Sequence, residues 1–243
     1  MRLLWDELRH AVPLIFHGDP TLWKIISFTI QVAVVATACA AVIGLPIALL
    51  IGLGRFPGRR ALQVLANASL AVPPVVVGFI LFLLFVPQGP LGGLHLTVTR
   101  RAVFIAQTVL ALPYVVALGA AAIQGLPSGL LGQARLLGAG GFQLSVLALR
   151  EARIGVMAAL IAALGTSLSE VGAIVIVGGN VYGYDQTLAS STLYYVNQSR
   201  YEYAVAAGLV LIVLILLLMG GLSLLQQHGG GLRLRFRPAA ATA

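Results

Sequence analysis

The residue types that carry chemistry are few in this chain, and they do not cluster. The four histidines, His10, His17, His95 and His228, are scattered, with no His-Glu-x-x-His pair to hold a metal. Cys39 is the one cysteine, so it cannot close an internal disulfide and is a poor metal ligand. Lys24 is the only lysine, and no Gly-x-x-x-x-Gly-Lys-Ser/Thr phosphate loop surrounds it. No nucleophile stands at a useful spacing from a base, so no catalytic residue and no metal ligand is expected. What remains is Glu170, the one acidic residue well inside an apolar stretch. A carboxylate there is expensive to bury charged, so it must face protein or a water-filled cavity. Ala163, Thr166 and Ser167 fall on its side at helical spacing and form a small polar face. Two readings stand: a gate or lining position, or an interhelical hydrogen bond that fixes packing.

The elements that position these residues are membrane helices. The chain has 243 residues, 59% hydrophobic and 9% charged, with a mean hydropathy of +0.99. A soluble domain of this length needs far more charge to cover its surface. The apolar residues run in blocks about as long as a bilayer core is thick. Five spans are expected: Leu22 to Leu53, Ala61 to Val86, Ala102 to Ile123, Ile154 to Val177 and Tyr203 to Leu225. The first is longer than a bilayer needs, so it tilts or reaches into water. Pro73-Pro74 should kink or break the second, and Pro113 lies inside the third. Ala36, Ala40, Gly44, Ala48 and Gly52 recur every four residues along the first span. That stripe reads as a packing seam before it reads as a pore lining.

The formal net charge of +8 suits membrane topology better than nucleic acid, because the basic residues sit in short loops beside apolar runs. Arg55, Arg59, Arg60, Arg135, Arg150, Arg153, Arg233, Arg235 and Arg237 fall on one side of a five-span chain. Arg2, Arg9, Lys24, Arg100, Arg101 and Arg200 fall on the other, beside five acidic residues. The first side should be cytoplasmic, with the N-terminus outside and the C-terminus inside. Met1 to Phe16 carries Asp6 and Glu7 and reads as an amphipathic surface helix rather than a signal peptide. Residues 1–228 are expected to form one membrane domain, and the stretch from Gly229 to Ala243 a flexible tail.

One segment does not belong in lipid. Gln124 to Arg153 lies between two spans and is far longer than a turn. Ser128 can cap a short helix over Gly129–Leu137, glycines at 138, 140 and 141 allow reversal, and Phe142–Arg150 can form a second helix. Such a projecting helix–turn–helix is either a docking element or a plain connection between spans.

This segment resembles the cytoplasmic loop of ABC importer permeases, patterned Glu-Ala-Ala, three residues, then Gly. Here Gly132-Gln133-Ala134 is followed by Arg135-Leu136-Leu137 and Gly138. The second alanine and the glycine match, whereas the glutamate and the first alanine do not. Val72-Pro73-Pro74-Val75-Val76-Val77-Gly78 and Gln107-Thr108-Val109-Leu110-Ala111-Leu112-Pro113 are similar to the oxyanion branch, the molybdate, tungstate and sulfate importers. Ser167-Leu168-Ser169-Glu170-Val171-Gly172-Ala173, followed by Gly178-Gly179-Asn180, resembles the tungstate type.

The resemblance implies an all-α integral membrane fold of the type I ABC importer kind, with a cytoplasmic coupling-helix loop. It implies a non-enzymatic permease in the cell inner membrane, a homodimer that forms the anion pathway, tungstate first, with molybdate or sulfate as alternatives. It implies a dimeric ABC ATPase partner that uses ATP-Mg, an extracytoplasmic substrate-binding protein, and no cofactor on this chain. By the same resemblance Gln133, Ala134 and Gly138 belong to the coupling helix or its exit. Leu136 and Leu137 are then the available apolar anchors, and Arg135 meets either an acidic group of the ATPase or water and headgroups. A carboxylate repels an oxyanion, so Glu170 should not bind cargo directly. Hydroxyls such as that of Ser167, amides near Pro73 and Pro74, and Asn180 are the expected pathway or gate residues. The outer segment Tyr182–Tyr203 meets the delivering protein or is a simple surface loop. A transporter or channel working without an ATPase is the rival class, but it commonly shows internal repeats or several intramembrane charges, and neither is seen.

Overall fold

The computed structural model describes residues 20–228 together with positions 9 and 13. Those two positions aside, the expectations for residues 1–16 and 229–243 lie outside the described residues. The described chain is helical throughout. It runs α1 (Pro20–Leu53), α2 (Arg59–Ser69), α3 (Pro74–Phe85), a short 3-10 turn at Gly92–Leu94, α4 (Arg100–Gln124), α5 (Ser128–Leu136), α6 (Gly141–Glu151), α7 (Arg153–Ser169), α8 (Gly172–Gly178), α9 (Leu188–Asn197) and α10 (Tyr201–His228). Three helices, α1, α4 and α10, are long and apolar enough to cross a membrane alone. The pairs α2/α3 and α7/α8 raise the number to five if each counts as one broken span.

Lipid tails are as apolar as leucine, so hydrophobicity does not bring these helices together; close packing does. The small-residue stripe of α1 is that packing seam, and its partner is α4. A methyl group at Gly44 would lie 2.9 Å from Val115 Cγ1, and one at Gly52 2.6 Å from Ile123 Cγ2. One at Gly119 would meet the Ala48 methyl at 3.2 Å. The two helices therefore run parallel in a four-residue register, with Ala40 and Ala111 in one buried cluster and Ala163 of α7 packed into it. At 34 residues α1 is about 51 Å long, against a hydrocarbon core of about 30 Å. Its C-terminal carbonyls are closed by Arg59, whose Nε donates to Ile51 O at 2.7 Å. An arginine counted for topology thus also caps a helix.

Two breaks shape the molecule. The Pro73-Pro74 pair ends α2 and starts α3, with a bend of 102° between them. Pro73 occupies the N-cap position and Pro74 the first turn, where a missing N–H costs nothing. The fourth span, expected to be continuous from Ile154 to Val177, is instead broken by 60° after Ser169. Glu170 leaves the helical region there (φ −73°, ψ 132°). A further correction concerns Tyr182–Tyr203. This segment is no surface loop, because it contains α9, and Leu188, Ala189, Ser190, Ser191 and Tyr195 are buried. Its polar residues read as loop in the sequence, yet they are hydrogen-bonded inside: Leu188 N donates to Thr29 Oγ1 of α1 at 2.9 Å.

Candidate functional site

At the elbow between α2 and α3 lies a cavity of about 310 Å³, lined by Ser69, Pro73, Pro74, Tyr114 and Thr166 among apolar neighbours. Three elements build it: the broken second span, the middle of α4 and the end of α7. The hydroxyls of Ser69 and Thr166 donate to carbonyls one turn back, Leu65 and Ala162. That leaves them as acceptors on the cavity side. The Tyr114 hydroxyl takes no protein hydrogen bond among the described residues. The N-terminus of α3 contributes the positive end of a 12-residue helix. Thr166 belongs to the small polar face read beside Glu170 in the sequence, whereas Tyr114 and Ser69 were not singled out as pathway residues. The signal for Tyr114 was its neighbour Pro113, placed in a span where a lone tyrosine has no interfacial reason to be.

The second break faces the first. α3 and α8 cross so closely that a methyl group at Gly78 would lie 2.6 Å from the Ala173 Cα. Glu170 sits half-buried beside this crossing, and its Oε1 accepts from the amide of Ala173 at 3.2 Å. The carboxylate therefore caps the first turn of α8 within its own chain rather than bonding another helix. Ser167, three residues earlier, does not line the elbow cavity. It is buried, and its hydroxyl finds no protein partner. Gln107 of α4 is likewise wholly buried, with neither side-chain amide atom bonded to protein. So the structure brings Pro73 and Pro74 to the cavity, places Glu170 beside the crossing, and buries Ser167 apart from the cavity lining.

Asn180 lies elsewhere, in the turn between α8 and α9, with φ +54°. Its side-chain amide donates to Ser190 O at 3.2 Å, and its own carbonyl accepts from Gln186. It belongs to a buried polar cassette with Asp185, Gln186, Thr187, Ser190 and Ser191. Asp185 Oδ1 accepts from the Val181 amide, and Arg100 donates to the Tyr184 carbonyl while lying over the rings of Phe28 and Tyr184. Burial pushes the Asp185 carboxyl above its ordinary value of 3.8, against the lowering effects of the backbone hydrogen bonds and of Arg100.

A carboxyl that binds its proton more tightly folded than unfolded favours the fold at low pH. That contribution is lost as pH rises from the unfolded value through the raised one. The wild-type protein in detergent should therefore lose melting temperature as pH rises from about 4 toward neutrality, and Asp185→Asn should flatten that slope. Equal slopes for both proteins would remove Asp185 as the source.

The segment from Gln124 to Arg153 projects as a helix pair, α5 and α6. Helix α5 begins at Ser128 itself, with Pro127 in the cap position, so the cap falls one residue earlier than expected. Its end is a Schellman motif: Gly138 N bonds Arg135 O, Ala139 N bonds Ala134 O, and Gly138 carries φ +86°. A side chain at that φ is strained, which is why the turn falls on glycine. The motif presents Leu136 and Leu137, 90% and 89% exposed, beside Phe142 at 83%. Gln133 and Arg135 are exposed as well.

Residues 44–228 match the family described as binding-protein-dependent transport system inner membrane component. A probable anion ABC transporter permease of Haloferax volcanii is 34% identical over 203 residues, 80% of this chain and 88% of that protein. The tungstate uptake system permease TupB of Peptoclostridium acidaminophilum is 29% identical over 94% of this chain and all of its own length. Among solved structures, an inward-facing form of the MetNI methionine ABC transporter superposes with a TM-score of 0.71 at 20% identity, covering 87% of this chain and 97% of that one.

Proposed function

The chain belongs to the family of binding-protein-dependent transport system inner membrane components, and on that premise we propose that it forms half of the channel of an ATP-driven oxyanion importer, with tungstate as the cargo. The carrying observation is the projecting α5–α6 pair with its three solvent-facing apolar side chains. An apolar knuckle on a turn outside the lipid leaves hydrophobic surface in water unless another protein covers it. A separate ATPase dimer is that protein, because the chain has no phosphate loop of its own. Relatives named for tungstate uptake favour that cargo. An extracytoplasmic protein delivers it, the N-terminus lies outside, and the C-terminus lies in the cytoplasm.

Two copies complete the pathway. Helix α3 leaves Val75, Val76, Phe79, Ile80 and Leu83 exposed on its outer face, and the elbow cavity lies beside it. A translocated dianion needs weak, brief contacts rather than a deep site. The Tyr114 hydroxyl and the α3 N-terminus supply such contacts without a buried cation. Glu170 serves the pathway by fixing the break before α8, not by touching the anion.

The test is uptake into vesicles holding the chain, its ATPase and its delivery protein. Tungstate should enter only with ATP and in preference to molybdate and sulfate. Uptake without the ATPase or ATP would sink the importer reading, and a preference for molybdate or sulfate would sink the choice of cargo alone.

A further inference from the structure

The corner where the projecting pair rejoins the membrane holds an open cavity of about 1100 Å³. Its walls are the end of α4 at Ala122 and Gly125, the Leu126–Pro127 link, and the α6–α7 corner from Leu149 to Gly155. Most of this lining is apolar. The exceptions are Arg150, Glu151 and Arg153, all exposed, which leave one net positive charge at the mouth. Among the described residues none of the three is hydrogen-bonded or ion-paired. Ile123, one residue past Ala122, is buried in a cluster with Ala148 and Ala152, and Leu126 and Leu149 pack against it. The cavity therefore sits where the apolar body of the helix bundle ends.

We propose that this cavity binds an anionic phospholipid of the adjoining leaflet, its phosphate held by Arg150 and Arg153 and its proximal acyl carbons lying on Ala122, Leu126 and Ile154. Guanidinium groups offer two parallel N–H donors to phosphate oxygens, and basic pockets between helices at a membrane surface select anionic headgroups. The volume and the apolar walls suit a headgroup with part of its tail, whereas a small hydrated anion would leave most of that surface wet. Leu136 and Leu137 of the proposed ATPase contact sit beyond the other end of α6, about 16 Å away at 1.5 Å per residue, although Arg150 also lines the shallow groove that leads to Phe142. Glu151 moderates the attraction and keeps the site from binding every anion. Such a site requires a membrane-spanning chain and is independent of the cargo.

The experiment is native mass spectrometry of the full-length chain with phosphatidylglycerol or phosphatidylcholine. Phosphatidylglycerol should be retained roughly tenfold better or more. Arg150→Gln with Arg153→Gln should abolish that preference, and Glu151→Gln should strengthen it. Arg55→Gln with Arg60→Gln, which removes two basic residues at the α1–α2 corner, should leave it unchanged. Equal retention of the two lipids, or equal loss in both arginine pairs, would mean general surface attraction and overturn the proposal. Displacement by millimolar inorganic phosphate would make this a free-anion site and overturn it too. Unchanged lipid retention in the Arg150/Arg153 variant, with loss of ATPase assembly instead, would assign the cavity to a protein. Should that variant not fold, the wild-type melting temperature decides: a rise with phosphatidylglycerol but not with phosphatidylcholine supports the site, and no difference overturns it.

Discussion

Leu136→Asp combined with Leu137→Asp should abolish assembly with the ATPase and ATP-driven uptake, while the chain still inserts, purifies and melts as the wild type does. The expectation rests on exposure. Both side chains are about nine-tenths in solvent, so the fold gains almost nothing from them and loses almost nothing when they change. A docked interface is different. Anchors at the centre of an interface commonly carry 2 kcal/mol or more each, about 30-fold in affinity. Two desolvated carboxylates in their place also cost energy in any apolar cleft. Loss of at least about 100-fold in assembly follows if both leucines are anchors. Gly138→Pro tests the same element through the backbone, because proline cannot take the +86° φ on which the Schellman motif turns. Co-purification of the ATPase with both variants at wild-type yield would show that the knuckle docks nothing.

A second large effect is expected at Gly78→Val. The α3–α8 crossing brings the Ala173 backbone to 2.6 Å of a β-carbon placed there, and a backbone atom cannot swing aside as a flexible side chain can. The half-helices must separate, at a cost of about 1–3 kcal/mol for overpacking. Transport should fall further than stability does, because the crossing sets the position of α3 relative to the elbow cavity. Gly220→Ala on α10 is the matched control. Nothing lies within 4 Å of its added methyl, so it should be neutral or slightly stabilising. Wild-type uptake by a well-folded Gly78→Val protein would mean that the crossing does not position the pathway.

Much of this architecture was legible in residue order. Run length set the spans, because lipid demands about 20 apolar residues per helix and tolerates few charges. The four-residue recurrence of small side chains along α1 marked a packing seam, since only small residues let two helix backbones approach, and the fold supplied α4 as its partner. Pro73-Pro74 announced the elbow through lost N–H groups, and Gly138 announced the turn between α5 and α6 through the one φ region that favours glycine. All of these signals are local, so a single chain carries them.

The tertiary structure decided what depends on distant partners. The stretch from Leu188 to Asn197 reads as loop, yet it is helical with Leu188, Ala189, Ser190, Ser191 and Tyr195 buried, and Thr29, 159 residues earlier in the chain, receives its first amide. The break at Glu170 carries no proline. It exists because α8 must turn against Gly78 of α3, and Glu170 then closes the amide that the turn exposes. The elbow cavity needs Ser69, Tyr114 and Thr166 from three separate elements. Composition and periodicity determine which segments enter the membrane, because transfer free energy is a property of each segment alone. Which polar groups meet inside is set by packing between segments, and only the folded chain contains that information.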